Sequence, residues 1–148
     1  MPRPFPPDYA ASPMAAWLFK TEPSDYAFTD LVRDKRVVWE GVSNALALIH
    51  LRGVRKGDVV VIYHTGAEKR AVGLAVATGE PYADPKLGDP RRVVVDLKPG
   101  KALPSPVALA TFKTDTVLRT TELVRNSRLS VMPLTDAHLA RVVQLAGA

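Results

Sequence analysis

KGDVVVIYHTGAEKRAVGLAVA, residues 56–77, holds two apolar runs, 59–63 and 72–77, on either side of the polar stretch 64–69. Valine, isoleucine and tyrosine favour a pleated backbone, and a short glycine-containing polar loop between two such runs marks a β-hairpin. The hairpin commits the centre of the chain to antiparallel pairing. Gly73, inside the second run, fits a barrel bend or a close backbone approach as well as plain tolerance. Outward from the hairpin, residues 16–20, 37–39, 92–97, 104–107 and 130–132 read as strands or extended pieces. Helical signals lie between them. Ser24, just after Pro23, caps a short helix through about residue 33. Ser43 or Asn44 caps a second to about residue 51, whose segment ALALIHL is apolar nearly all round and is expected to be mostly buried. Residues 109–113 and 122–125 form short helical turns, and Thr135 caps a last helix to about residue 146 with Leu139, Val142, Val143 and Ala146 at helical spacing. No strand–helix–strand unit of regular length repeats. The expected class is therefore α/β (α+β), a small mixed barrel, mostly antiparallel and flanked by helices, rather than a doubly wound parallel sheet.

A chain of 148 residues makes one domain. Five of its 13 prolines fall in residues 1–13, so residues 1–14 read as a proline-rich N-terminal arm and 15–148 as the domain. The arm lacks a basic segment followed by an apolar one, so it is not read as a secretory signal. Met14 stands at the boundary: either the arm belongs to the protein or translation starts there. Apolar residues at 47% and charged residues at 24% are ordinary for a soluble globular protein, and no apolar run is long enough for a membrane span. With no cysteine, disulfides, thiolate metal sites and cysteine nucleophiles are excluded, and a reducing, cytoplasmic location is expected. Lys+Arg 20 against Asp+Glu 15 leaves +5, which permits an anionic partner without demanding one.

Enzyme signatures are absent. His50, His64 and His138 form no HxxxH or HExxH pair, so no metal is expected. There is no GxSxG elbow, and neither a GxGxxG nor a GxxxxGK[ST] phosphate loop, so no nucleotide cofactor is expected either. The glycine-flanked basic run 53–57 reads as a turn, and the two Asp-Pro steps within 84–90 initiate turns without calcium-loop spacing.

Three features remain. Trp39, in VVWEGVSNA, sits where an extended piece passes through Gly41 into a helix start; it fits the core and the wall of a pocket for a planar ligand alike. Ser43 and Asn44 at the same junction offer donors and acceptors, or simply cap the helix. In WLFKTEPSDY, a strand ends at Lys20 with Thr21 and Glu22 at its rim. Lys20 suits a phosphate or base carbonyl and Glu22 an exocyclic amine; as a surface pair they contribute little. Tyr63, His64 and Thr65 lie where the central strand leaves the core, His64 being either an acid–base group or a hydrogen-bonding loop residue.

The segments WLFKTEPSDY (17–26), WEGVSNALALIHLR (39–52), KGDVVVIYHTGAEKRAVGLA (56–75), EPYADP (80–85), RRVVVDLKP (91–99) and RLSVMPL (128–134) occur in order along nearly the whole domain. Together they resemble the EVE domain of the PUA-like superfamily, related to YTH and ASCH domains. The resemblance implies a twisted, mostly antiparallel pseudo-barrel flanked by helices. It implies a reader of modified bases in DNA or RNA that holds one flipped base against an aromatic wall. On this resemblance the family's motif tryptophan and asparagine are Trp39 and Asn44, and its K-T-E-P rim is Lys20, Thr21, Glu22 and Pro23. Its F-Y-H segment is Ile62, Tyr63 and His64, and its R-L-S-V turn is Arg128, Leu129, Ser130 and Val131. Many members carry R-N-Y-Q-A-R-N after G-V, where this chain has SNALALI, and a tryptophan where this chain has Phe28. Pocket chemistry of the arginine- and glutamine-bearing members therefore does not carry over. A second pattern, N-x-L-A-L-x-x-L-R followed by Y-H-T-G, fits better.

The leading expectation is a non-catalytic nucleic-acid-binding module that accommodates a modified base. Arg52, Arg55, Lys56, Arg125 and Arg128 are its candidates for phosphate contact. The alternatives are a sensor of a free nucleobase or nucleoside-like molecule and, last, an enzyme acting on a base through Glu22 or His64.

Overall fold

Val59–His64 runs through the middle of the molecule with all six residues buried. A strand covered on both faces needs an unbroken apolar run rather than alternation, and VVVIY supplies it. This strand, β3, pairs antiparallel with β4 (Arg70–Ala77) across the hairpin. On its other side it pairs in parallel with β1 (Ala16–Thr21), which in turn pairs antiparallel with β7 (Val131–Leu134). Beyond β4 lie the long β6 (Val93–Ala108) and the three-residue β2 (Val37–Trp39), while the short β5 (Tyr82–Ala83) joins β6. The order is β2-β6-β4-β3-β1-β7, and every pairing except β1 with β3 is antiparallel. The helices are α1 (Phe28–Asp34), α2 (Ala45–Arg52), α3 (Leu109–Thr114), α4 (Glu122–Arg125) and α5 (Asp136–Ala146), with a 3₁₀ turn at Leu118–Thr120. This computed structural model describes residues 15–148, so the proline-rich arm read at 1–14 lies outside the described residues. Among the described residues no helix is long and apolar enough to cross a membrane.

The sheet curls into a half-barrel. In strand order β1 and β2 are four steps apart, about 19 Å in a flat sheet. Yet the rings of Phe19 and Trp39 meet at 5.5 Å, tilted by 47°. The crossover from β1 to β3 makes this contact. It carries α1, β2 and α2, and it delivers β2 to the far edge of the sheet, where Trp39 pairs with Val95. Side chains, not a hydrogen-bonded ladder, close the curl. At the entry to β3 the buried Asp58 carboxylate accepts from the Trp17 Nε1–H (2.9 Å), the Arg55 N–H (2.8 Å) and the Ala15 N–H (3.0 Å), which ties the start of β1 to the α2–β3 turn.

The structure departs from the sequence expectations in three places. Ser24 caps no helix: residues 22–26 form a turn in which the amides of Asp25 and Tyr26 donate to the Glu22 carbonyl, and the N-cap of α1 is Ala27, three residues later than expected. Helix α2 buries Ala47, Leu48 and Leu51 but leaves Leu46 41% and Ile49 57% exposed, because only one of its faces meets the sheet. The pieces expected at 92–97 and 104–107 are one strand, β6. Between the pairs Ala71–Val107 and Gly73–Ala102, β4 advances two residues and β6 five. The surplus of β6 bulges outward, which leaves Pro104 and Pro106 exposed, where the missing N–H costs nothing. Gly73 sits at this irregularity, and a Cβ there would clash with the Phe28 ring, so the glycine serves a close approach as well as a bend.

Candidate functional site

The curl leaves a seam between edge strand β2 and the end of β1, and a cleft of about 420 Å³ opens there. Its walls come from the ends of β1 and β2, the 25–26 turn, the 40–44 loop and Ser130 just ahead of β7. Trp39 lines it while remaining only 8% exposed, with Phe19 behind it. Gly41, at φ +82°, lets the chain turn sharply after Trp39, so that Ser43 and Asn44 come back to the same hollow.

The polar groups of the cleft are fixed on one side and free on the other. Asn44 Oδ1 accepts from the Ala47 N–H at 3.0 Å and caps α2. Among the described residues its amide nitrogen and the Ser43 hydroxyl have no protein partner. Lys20 Nζ donates to the Ser127 carbonyl at 2.7 Å, and burial pushes its pKa below the ordinary lysine value. Thr21 Oγ1 donates to the Tyr26 carbonyl at 2.7 Å, which leaves its lone pairs open. The Tyr26 hydroxyl donates to Asp34 at 3.0 Å; burial first, then that hydrogen bond, raises its pKa to about 12, so the phenol is neutral. Two carboxylates also line the cleft: Asp25, exposed, and Glu40, which pairs with Lys86 at 3.3 Å.

Of the residues singled out in the sequence, Trp39, Ser43, Asn44, Lys20, Thr21 and Ser130 line this one cleft. The others do not. Glu22 is turned into its own loop, where it accepts from the backbone and hydroxyl of Ser24, and these bonds depress its pKa. Tyr63 and Leu129 are core residues at 3% and 2% exposure. His64 is buried: its Nε2 accepts from the Phe28 N–H at 3.0 Å, so Nδ1 carries the proton and donates to Glu68 at 2.9 Å. Thr65 joins the β1 end through its N–H to the Thr21 carbonyl, 2.9 Å. Arg128 and Arg125 are exposed on the segment that Lys20 and Ser130 anchor, and neither has an ion-pair partner among the described residues. Arg55 and Lys56 face Glu80 at the α2–β3 turn instead, Arg55 through its side chain at 3.4 Å and Lys56 through its N–H. Arg52 lines a neighbouring hollow. Sequence reasoning missed Asp25, Tyr26, Val37, Val38, Glu40 and Val42. Their only signal was adjacency to Trp39 and Thr21 in the chain. Among the described residues no cluster of three His, Asp or Glu groups is placed to hold a metal.

A curled sheet of this order with helices on its flanks is a PUA-like half-barrel. An ASCH protein from Zymomonas mobilis shares the fold over 88% of this chain and 95% of its own, at 13% identity and a TM-score of 0.55. The EVE domain pattern matches residues 15–145, and the chain belongs to that family. Rpa0253 from Rhodopseudomonas palustris is 36% identical and superposes with a TM-score of 0.86 over 90% of this chain and 94% of its own. Human THYN1, solved in complex with DNA containing 5-methylcytosine, is 24% identical, with a TM-score of 0.81 over 90% of this chain and 98% of its own. No curated protein matches the sequence.

Proposed function

We propose that the protein is a non-catalytic nucleic-acid-binding module that reads a modified nucleobase, drawn out of its strand into the cleft against Trp39. One observation carries this reading: a seam cleft in which an indole backed by Phe19 stands beside the Ser43 hydroxyl and Asn44 amide, both unpaired among the described residues. Its volume falls within the roughly 300–1,000 Å³ of ligand pockets. The complex of human THYN1 with 5-methylcytosine DNA supports the same class of ligand here. Asp25 adds a carboxylate acceptor of the kind that takes the exocyclic amine of cytosine.

The energetics fit binding without chemistry. Unstacking a base costs a few kcal/mol, and stacking on one aromatic returns about 1–3 kcal/mol. A buried methyl adds about 0.8 kcal/mol, roughly fourfold in affinity. Discrimination must then come from edge hydrogen bonds, and much of the affinity from phosphate contacts, for which Arg125 and Arg128 are exposed near the rim. The two acid–base candidates of the sequence are engaged elsewhere, since both ring nitrogens of His64 are in use and Glu22 is held by Ser24.

Fluorescence anisotropy with short oligonucleotides, with and without base modification, tests the reading. Replacing Trp39 by alanine is expected to weaken binding of the preferred oligonucleotide by about 5- to 150-fold, the equivalent of one stacked base. Trp39→Leu, which keeps apolar bulk without the flat ring, is expected to lose most of the same affinity while staying folded. Equal binding by wild type and both variants, for every base tried, overturns the reading. A free nucleoside that raises the melting temperature while no oligonucleotide binds replaces it with a small-molecule sensor.

A further inference from the structure

The base cleft does not end at Ser43. The same residue borders a second hollow of about 400 Å³, between α2 and the start of β6. We propose that this groove holds the sugar-phosphate of the nucleotide adjoining the one whose base occupies the cleft, with Arg52 and Arg92 on the phosphate; the assignment rests on the base-reading function above.

The two hollows differ in charge. The cleft carries Lys20 against Asp25 and Glu40, the latter already paired with Lys86, a near balance that suits a neutral heterocycle and gives a phosphate no net attraction. The groove carries Arg52, Arg91 and Arg92 against one carboxylate, Asp89. Arg91 takes that carboxylate through Nε at 3.2 Å and a terminal nitrogen at 3.1 Å. Arg52 and Arg92 face no carboxylate within ion-pair distance among the described residues. Each is aimed instead by a neutral backbone carbonyl: Arg52 Nη1 donates to the Arg91 oxygen at 3.0 Å, and Arg92 Nε to the Val42 oxygen at 3.0 Å. A guanidinium has five N–H donors in a rigid fork, so each retains donors for phosphate oxygens with no carboxylate in direct contact among the described residues. The apolar floor is Leu48, with Ile49 exposed at its lip, a surface for a ribose or a neighbouring base. The link to the cleft is direct: the carbonyl that Arg92 holds belongs to Val42, which lines the cleft next to Ser43. Phosphate seated on Arg92 therefore steadies the loop that presents Ser43 and Asn44 to the base.

The test measures affinity against salt for Arg52→Gln, Arg92→Gln and Trp39→Leu, using a single-stranded oligonucleotide with the preferred modified base and the same strand abasic at that position. Arg52→Gln touches an exposed side chain and serves as the folding-neutral arm; thermal unfolding checks both arginine variants. Each arginine variant is expected to weaken both strands and to lower the slope of log affinity against log salt by about 0.7 if it costs one phosphate contact. The affinity lost between about 50 and 200 mM salt then shrinks roughly threefold. Trp39→Leu is expected to weaken only the strand that keeps its base. If Trp39→Leu weakens binding while both arginine variants keep the wild-type affinity and slope, the groove assignment is overturned and the base reading stands. If the arginine variants respond and Trp39→Leu does not, the base reading is overturned and the groove remains a backbone site. A wild-type protein that binds neither strand overturns both.

Discussion

Asn44 caps a helix and, under the proposed function, also reads the base, and one substitution can separate the two. Its oxygen caps α2 by accepting from the Ala47 N–H, and its side chain lines the cleft with the amide nitrogen unpartnered among the described residues. Aspartate at the same place keeps the capping acceptor and loses the donor. Asn44→Asp is therefore expected to unfold in urea within about 0.5 kcal/mol of wild type, since the two are near-equal N-caps, while its base discrimination falls. Asn44→Ala loses the cap as well and is expected to cost about 1 kcal/mol of stability. An Asn44→Asp variant that binds and discriminates as wild type does removes this side chain from recognition. At this scale the sequence is informative about residue chemistry and silent about direction. Trp39, Ser43 and Asn44 lie together in one short junction, so their shared cleft follows from local geometry. Leu129, Glu22 and His64 lie in equally suggestive runs, yet packing turns Leu129 into the core, Ser24 captures the Glu22 carboxylate, and the Phe28 amide captures His64. For Leu129 and His64 the outcome depends on partners distant in the chain, whose position no local pattern records; for Glu22 the partner is two residues away, and the sequence offers it without saying that the bond forms.

Helix α5 shows the same limit one level up, and carries a pH dependence. Thr135 caps it as its sequence position suggests, accepting from the His138 N–H at 3.1 Å. The reciprocal bond, where Glu or Gln ordinarily stands, comes from His138, whose Nδ1 accepts from the Thr135 N–H at 3.1 Å. Nε2 then carries the proton and donates to Thr120 Oγ1 at 2.7 Å, and that hydroxyl donates to the Val117 carbonyl. The ring is buried, and burial holds its pKa below the ordinary 6.5. With the folded value below the unfolded one, the unfolded chain takes up the proton first as pH falls. This contribution to stability is whole above about pH 6.5 and is lost as pH drops through the folded value. Protonation at Nδ1 also removes the acceptor for the Thr135 amide. His138→Gln is expected to be less stable than wild type near neutral pH, with the gap narrowing toward about pH 5; chemical denaturation across that range measures it. A gap that stays constant with pH rules out the histidine as its source. A capping search for Glu or Gln passes over His138, and an apolar count passes over the half-exposed face of α2, because both follow from what the helix packs against.

The whole molecule is a sheet whose central and edge strands differ in support. Strand β3 has a partner on each side and is buried throughout, whereas β2 is three residues long and, among the described residues, pairs with β6 alone. The hairpin at 56–77 is legible because its strands are neighbours in sequence; the delivery of β2 to the opposite edge is not, because it requires the 22–58 crossover to span the curl. That topology places the cleft against a short edge strand with one neighbour. Local opening follows pairing and burial. Amide hydrogen exchange in the free protein is therefore expected to be slowest at Val60, Val61 and Ile62, near the rate set by global unfolding. Val37, Val38 and the 40–44 loop are expected to exchange much faster. Binding of a cognate oligonucleotide should slow exchange in β2 and that loop selectively, since ligand against Trp39 and phosphate on Arg92 both restrain it, and leave β3 close to its free rate. If β2 is already as protected as β3 without ligand, the seam is rigid and a base must find its cleft preformed; if ligand slows β3 and β2 alike, binding stabilises the fold globally and the seam has no separate motion to restrain.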